Sequence, residues 1–342
     1  MNHEIDLKMY NIRTDLVLDT IENSSDSIDT DVSNYGDIKV TKIYVDDNTS
    51  KLINKKIGNY ITIEFDDVTD TKNRNDVEDV FITEFRSLLG KLNITDDDSV
   101  LIVGLGNEMS TPDSFGPKVI DNIIVTRHLF LLGEDVSDGF RCTSAINPGV
   151  MAMTGIETSD FIGSIVNEVN PSIVIVIDAL AASSMSRVNK SIQITDTGIH
   201  PGSGVGNMRK EISKDTLGVP VIGIGVPTVV ESSIIVYDTI NYLFKHISYI
   251  KDNHNMNKLV FTRNNYLDKI NNKSLSDKEK REVMGLIGEL SDDEKMNLID
   301  EVLNSINYNF IVTPKEIDFQ IDKLSSVLSS GINRALHKNN VK

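Results

Sequence analysis

The chain has 342 residues, enough for one large domain or two modest ones, and a formal net charge of −17 from 51 acidic and 34 basic residues. Such a surface is repelled by phosphate backbones, and no basic cluster offsets it, so direct nucleic-acid binding is disfavoured. The single cysteine, Cys142, rules out an intrachain disulfide and a cysteine-based zinc site and reads as a small core residue. The charged start "MNHEIDLKMYNIRTD" lacks the apolar stretch of a secretory signal, and no run of about 18 apolar residues occurs, so a soluble cytoplasmic protein without membrane contact is expected.

In chain order, residues 1 to about 35 are acidic, and "ENSSDSIDTDVSN" reads as a flexible loop. "DIKVTKIYVDD" (37–47) and "NYITIEFDD" (59–67) alternate apolar and polar residues and predict two strands forming a hairpin. Val77, Val80, Phe81, Phe85, Leu88, Leu89 and Leu92 recur at helical spacing over 75–92. The short apolar runs "SVLIVG" (99–104), "PSIVIVIDA" (171–179) and "VPVIGIG" (219–225) do not alternate, as in parallel strands buried on both faces. Helical segments at 116–132, 155–169 and 231–246 lie between or after them. The expected fold is α/β, a three-layer α/β/α arrangement with a mostly parallel central sheet, N-terminal β-hairpin additions and a helical C-terminal region. Its core is placed at about 96–250 and a helical extension at about 251–342. There "SDKE" (276–279), "SDDE" (291–294) and "TPKE" (313–316) carry the capping-box pattern, the last with Pro314 at the first helical position.

In open parallel sheets, ligands bind at the carboxyl ends of strands. After 99–104 come Asn107, Glu108 and Asp113; after 173–177 comes Asp178; after "SIQIT" (191–195) come Asp196, His200, Gly202, Ser203, Gly204 and Gly206. Asp113 and Asp178 reach one crevice if their strands are neighbours. Two close carboxylates share a proton, giving a base for water and an acid for a leaving amine. Each aspartate is also a plausible turn or helix N-cap residue. Other readings are weaker on spacing. "GLGNEM" lacks the third glycine of a dinucleotide loop, and "PGSGVG" has proline where a serine nucleophile elbow needs glycine. A divalent metal held by Asp113, Asp178 and His200 is the remaining alternative.

The segments "GLGNEMSTPDSFGPKVIDN", "NPGVMAMTGIETSD", "IDALAASS", "DTGIHPGSGVGNMRKEIS" and "PVIGIGVPTVV", with "YNIRTDLVLD", "VTPKEID" and "NRALH" nearer the termini, resemble the germination protease family of spore-forming bacteria. That resemblance implies an atypical aspartic endopeptidase that degrades small acid-soluble spore proteins, with a fold related to hydrogenase maturation endopeptidases. It implies that Asp113 and Asp178 are catalytic. It further implies self-cleavage at Asp15–Leu16, which removes a propeptide (1–15) and leaves a catalytic domain (16–342). Asn107, Glu108, His200, Gly202, Ser203 and Gly204 would form the substrate-facing rim. No cofactor and no metal are expected, the assembly would be a homotetramer, and the site of action the cytoplasm of the developing spore and the spore core. One departure stands out: Ser183 occupies a position where the family pattern carries arginine, which leaves open an inactive binding relative and makes Arg187 a candidate substitute.

Overall fold

The computed structural model describes residues 15–22, 28–133, 136–202, 209–252, 274–306, 308 and 310–338. They form two compact units, one built from the chain up to Val229 together with the segment from Thr313 onward, the other from Val230–Val312. The strands are β1 (Asp31–Tyr35), β2 (Ile38–Val45), β3 (Gly58–Glu64), β4 (Val100–Gly104), β5 (Thr143–Ile146), β6 (Ile173–Ala182), β7 (Ser191–Thr195), β8 (Val221–Glu231) and β9 (Ile311–Val312). In the first unit the helices are α1 (Val17–Glu22), α2 (Asp47–Ile53), α3 (Thr71–Lys91), α4 (Phe115–Ile120), α5 (Arg127–Leu132), α6 (Met151–Thr154), α7 (Thr158–Val169) and α8 (Lys214–Leu217). The second unit contributes α9 (Ser232–Asp252), α10 (Asp277–Met284), α11 (Leu286–Glu289) and α12 (Asp292–Ser305), and α13 (Ile317–Leu336) returns to the first.

The strand order is β1-β2-β3-β7-β8-β6-β4-β5. β4 is parallel to both β5 and β6, as the apolar runs predict, whereas β1, β2, β3, β7 and β8 pair antiparallel in succession. The sheet is therefore parallel where the candidate site lies and antiparallel over its other half. Its layers follow from strand parity. Val100, Ile102, Ile173, Ile175 and Ile177 enter one core with Phe81, Phe85 and Leu88 of α3, Phe115 of α4, and Leu324, Leu328 and Ile332 of α13. Leu101, Val103, Val174 and Val176 enter the opposite core with Ile162 and Val166 of α7. Over β2 and β3, Val17 and Leu18 of α1 pack with Ile43, Val45, Ile53 and Tyr60.

Four local expectations are corrected. Residues 31–35, expected as loop, form β1: an edge strand with most residues exposed needs no apolar face. β2 and β3 are antiparallel neighbours, but α2 joins them instead of a tight turn, because Asp46 accepts from Asn48 N–H (3.1 Å) and Thr49 N–H (2.8 Å) and starts a helix. The segment 116–132 divides into α4 and α5, since Asn333 of α13 accepts from Ile124 N–H (3.0 Å) and donates to Asn122 O (2.9 Å), drawing that backbone out of helix. "TPKE" does not cap a helix: Thr313 Oγ1 donates to Thr228 O (2.9 Å), and α13 starts only at Ile317. The other two capping boxes form, with Ser276 N–H and Ser291 N–H each donating to Glu279 and Glu294 at 2.8 Å. Among the described residues no helix is long and apolar enough to cross a membrane.

Candidate active site

β4 and β6 lie side by side with Gly104 opposite Ile177, and Leu105 N–H continues the ladder to Ile177 O at 2.8 Å. β4 thus ends level with Ile177, while β6 runs on to Ala182. Asp178 is the next residue of β6 and shares parity with Val174 and Val176, so it belongs to the α7 side of the sheet. After β4 the chain loops back through a single 3₁₀ turn, Thr111–Asp113, to begin α4. Asp113 closes this loop, for Asn107 N–H is shared between its backbone O (3.0 Å) and its Oδ2 (2.9 Å). Asn107 Oδ1 in turn accepts from Met109 N–H at 3.0 Å.

Three glycines permit this crowding. A Cβ on Gly104 would lie 2.4 Å from Gly116 O, and one on Gly116 would lie 2.2 Å from Leu105 O and 2.8 Å from Ile177 O. Gly106 has φ +121°, and its Cβ would meet Asp113 O at 2.0 Å and Asp113 Oδ1 at 3.2 Å. Gly106→Ala is therefore expected to shift the Asp113 loop, cost about 1–3 kcal/mol of stability and reduce peptidase activity at least about tenfold; urea unfolding and a cleavage assay check both.

Both carboxyl groups are raised above their ordinary value. Asp178 is held well above the ordinary carboxylate range, chiefly by burial and then by the charges of Asp113 and Asp15; Ala179 N–H, 2.9 Å from its Oδ1, opposes this. Asp113 is half-buried and also raised by burial, against the Asn107 hydrogen bond.

The Asp15–Leu16 peptide lies along the same end of β6. Asp15 N–H donates to Ala181 O (3.3 Å) and Ala181 N–H donates to Asp15 Oδ2 (3.0 Å), three residues past Asp178. Leu16, Val17 and Leu18 are buried, and Val17 N–H donates to Gln193 Oε1 at 2.8 Å. Asp19 accepts from Ser183 N–H (2.7 Å) and pairs with the buried Arg187, whose Nε also reaches Glu64 Oε1 at 3.2 Å. Arg187 thus anchors α1 and does not stand in for an arginine beside the aspartates. Lys55 is half-buried; desolvation lowers its pKa, and the charges of Asp15 and Asp19 act the other way.

Among the rim residues, His200 lies close enough to Asp15 and Lys55 for both charges to act on it. His200 Nε2 donates to Glu211 Oε2 (3.1 Å), in a cluster where Lys56 also reaches Glu211 (2.7 Å). Burial lowers the His200 pKa against the pull of Glu211. The metal triad of Asp113, Asp178 and His200 is therefore not assembled, and among the described residues no three His, Cys, Asp or Glu side chains are grouped so as to hold an ion. Glu108 is exposed, and Gly202 occupies a turn at φ +72°. Ser203 and Gly204 lie outside the described residues. Cys142, just before β5, is half-buried, and burial pushes its thiol up, which suits a packing role. Sequence reasoning missed Lys55, Asp19, Gln193 and Gly106. Gln193 had a signal: it is the one polar side chain between the isoleucines of "SIQIT".

The comparisons with known proteins bear on this geometry. A family model described as germination protease matches residues 8–342. The germination protease of Bacillus subtilis (strain 168) is 45% identical over 352 residues, covering 98% of this chain and 96% of the relative. That of Bacillus cereus (strain B4264) is 45% identical over 354 residues, and that of Priestia megaterium 44% over 357, each with the same coverage. Among solved structures, a [NiFe] hydrogenase maturation protease, HycI, from Thermococcus kodakarensis aligns with 42% of this chain and 80% of its own, at a TM-score of 0.26 and 18% identity. At that score the alignment carries no argument. The sequence matches, spanning both Asp113 and Asp178, define a peptidase. The chain belongs to the germination protease family.

Proposed function

We propose that this peptidase is a self-activating endopeptidase of atypical aspartic type that begins the degradation of small acid-soluble spore proteins during germination. The observation that supports it most is the company Asp178 keeps: a carboxyl group raised by burial and by Asp113, with Asp15 close enough to add to the same shift. In this reading the pair carries one shared proton near neutral pH, and its apparent pKa values belong to the pair. Asp178, the deeper group, holds the proton and acts as general acid. Asp113, less enclosed, takes a proton from water, whose oxygen attacks the carbonyl carbon. Asp178 then protonates the departing nitrogen, and a proton passing from Asp113 to Asp178 resets the pair.

Residues 1–15 are the propeptide and Asp15–Leu16 the first bond cut, leaving residues 16–342 as the catalytic chain. Asn107 positions Asp113 in this scheme, and the remaining substrate-facing groups come from the loops after β4 and β7. The protein acts as a homotetramer in the developing spore and the spore core. Incubation of the pure protein at mildly acidic pH is expected to yield a chain beginning at Leu16 and then to cleave an α/β-type spore protein. Asp113→Asn is expected to slow both by about 10²–10⁴-fold. Wild-type rates in that variant, or no cleavage by the wild type, overturn the reading.

A further inference from the structure

The carbonyl oxygen of Asp15 accepts from two side chains at once. Lys55 Nζ stands 3.3 Å away and Gln193 Nε2 3.4 Å away. They come from separate places in the chain, Lys55 from the loop between α2 and β3, Gln193 from the middle of β7. The surrounding backbone is fixed on both sides, by the paired Asp15–Ala181 contacts before the bond and by Val17 N–H on Gln193 Oε1 after it. Gln193 therefore straddles the Asp15–Leu16 peptide, donating to one side and accepting from the other.

One donor suffices for a structural carbonyl, although its oxygen can accept two, and withdrawing a lysine amine from water is costly. Placing a half-buried ammonium and an amide on this one oxygen has a chemical rationale if the oxygen acquires negative charge. We propose that Lys55 and Gln193 are the oxyanion-stabilising donors for peptide hydrolysis at this site, first on Asp15–Leu16 and then on substrates bound in its place. This rests on the endopeptidase reading above and adds two catalytic residues to it.

In the step, a water proton passes to Asp113 as the water oxygen bonds to the Asp15 carbonyl carbon. The C=O π pair moves onto the oxygen facing Lys55 and Gln193. Re-forming C=O expels the Leu16 nitrogen with the C–N electron pair, and Asp178 supplies its proton, giving an Asp15 carboxyl and a Leu16 amine. The contacts of 3.3 and 3.4 Å are long for a neutral carbonyl. Charge-assisted bonds shorten to about 2.7–2.9 Å, so both donors gain most as the oxyanion forms, which is the differential binding that accelerates a reaction.

The test is the first-order rate at which full-length protein yields the Leu16 N-terminus, followed by intact mass. Lys55→Met and Gln193→Glu are each expected to slow it about 10²–10³-fold. Gln193→Glu keeps an acceptor for Val17 N–H and replaces the amide donor with an ionisable carboxyl group, which opposes an oxyanion; Lys55→Arg keeps a cationic donor and is expected to stay within about tenfold of wild type. Rates within about threefold of wild type in Lys55→Met or Gln193→Glu overturn the proposal, as does an equal loss in Lys55→Arg and Lys55→Met. If Lys55→Met does not melt cooperatively, the near-isosteric Gln193→Glu decides by the same criterion. Asp178→Asn run in parallel separates the two levels. Wild-type cleavage in Asp178→Asn defeats the endopeptidase reading; cleavage lost there but intact in Lys55→Met and Gln193→Glu defeats only the oxyanion assignment.

Discussion

Asp178→Asn is expected to lose peptidase activity by about 10²–10⁴-fold and yet to melt at a higher temperature than the wild type at neutral pH. The two effects have one cause. Burial, with Asp113 and Asp15 adding to it, raises the Asp178 carboxyl above its ordinary value of 3.8. A carboxyl whose folded pKa is raised binds its proton more tightly in the folded chain than in the unfolded one. Its contribution to stability is fully present below the unfolded pKa and declines as pH rises towards the folded one. Asparagine has no charge to desolvate, so the stability gap between variant and wild type is expected to be nil below about pH 4 and to widen as pH rises. Melting curves at pH 3.5, 5.5 and 7.5 read it directly. A variant less stable than the wild type at pH 7.5 would show that the carboxylate is well accommodated in its charged form.

Arg187→Met carries the largest expected loss of stability. Asp19 is 1% exposed, and its side-chain partners include Arg187 and the Ser183 N–H. Removing the guanidinium takes a hydrogen-bonded counter-charge from a buried carboxylate, at a cost of about 3–5 kcal/mol. For a unit of this size that lowers the melting temperature by about 10 °C. Glu64 is less exposed to the loss because Lys39 Nζ stands 3.1 Å from its other oxygen. The double variant Asp19→Asn/Arg187→Met is expected to regain much of the difference, since neither charge remains. An Arg187→Met protein that melts with the wild type would mean that Asp19 finds other compensation. The same experiment bears on Ser183. Its backbone N–H, not its side chain, carries the contact to Asp19, so Ser183→Arg is compatible with that hydrogen bond.

Legibility in the sequence tracked the range of the interactions. The runs that became β4, β6 and β8 were readable because a strand buried on both faces must be apolar throughout, and Asp178 announced itself by ending one of them. β1 was not readable, because "DVSNY" is an edge strand whose polar side chains face solvent. α13 was expected as part of a polar C-terminal extension, yet Ile321, Leu324, Leu328 and Ile332 fill the core beneath β4 and β6. The polar network around Asp15 was invisible for a different reason. Lys55 and Gln193 lie 40 and 178 residues from the carbonyl they share, and no local spacing encodes such a meeting. His200 was readable from its neighbours in "GIHPGSG", but its partner Glu211, 11 residues on, was not.

The alternation along β6 has a consequence for how this enzyme can change over evolutionary time. Ile173, Ile175 and Ile177 point one way, and Val174, Val176 and Asp178 the other. Substitutions among the isoleucines and valines leave that parity untouched. Insertion or deletion of a single residue between Ile173 and Asp178 reverses it, bringing Ala179 or Ile177 to the crevice and turning the carboxylate into the opposite layer. Descendants of this sequence can therefore drift in side-chain identity along the strand, while its length from residue 173 to the aspartate is frozen.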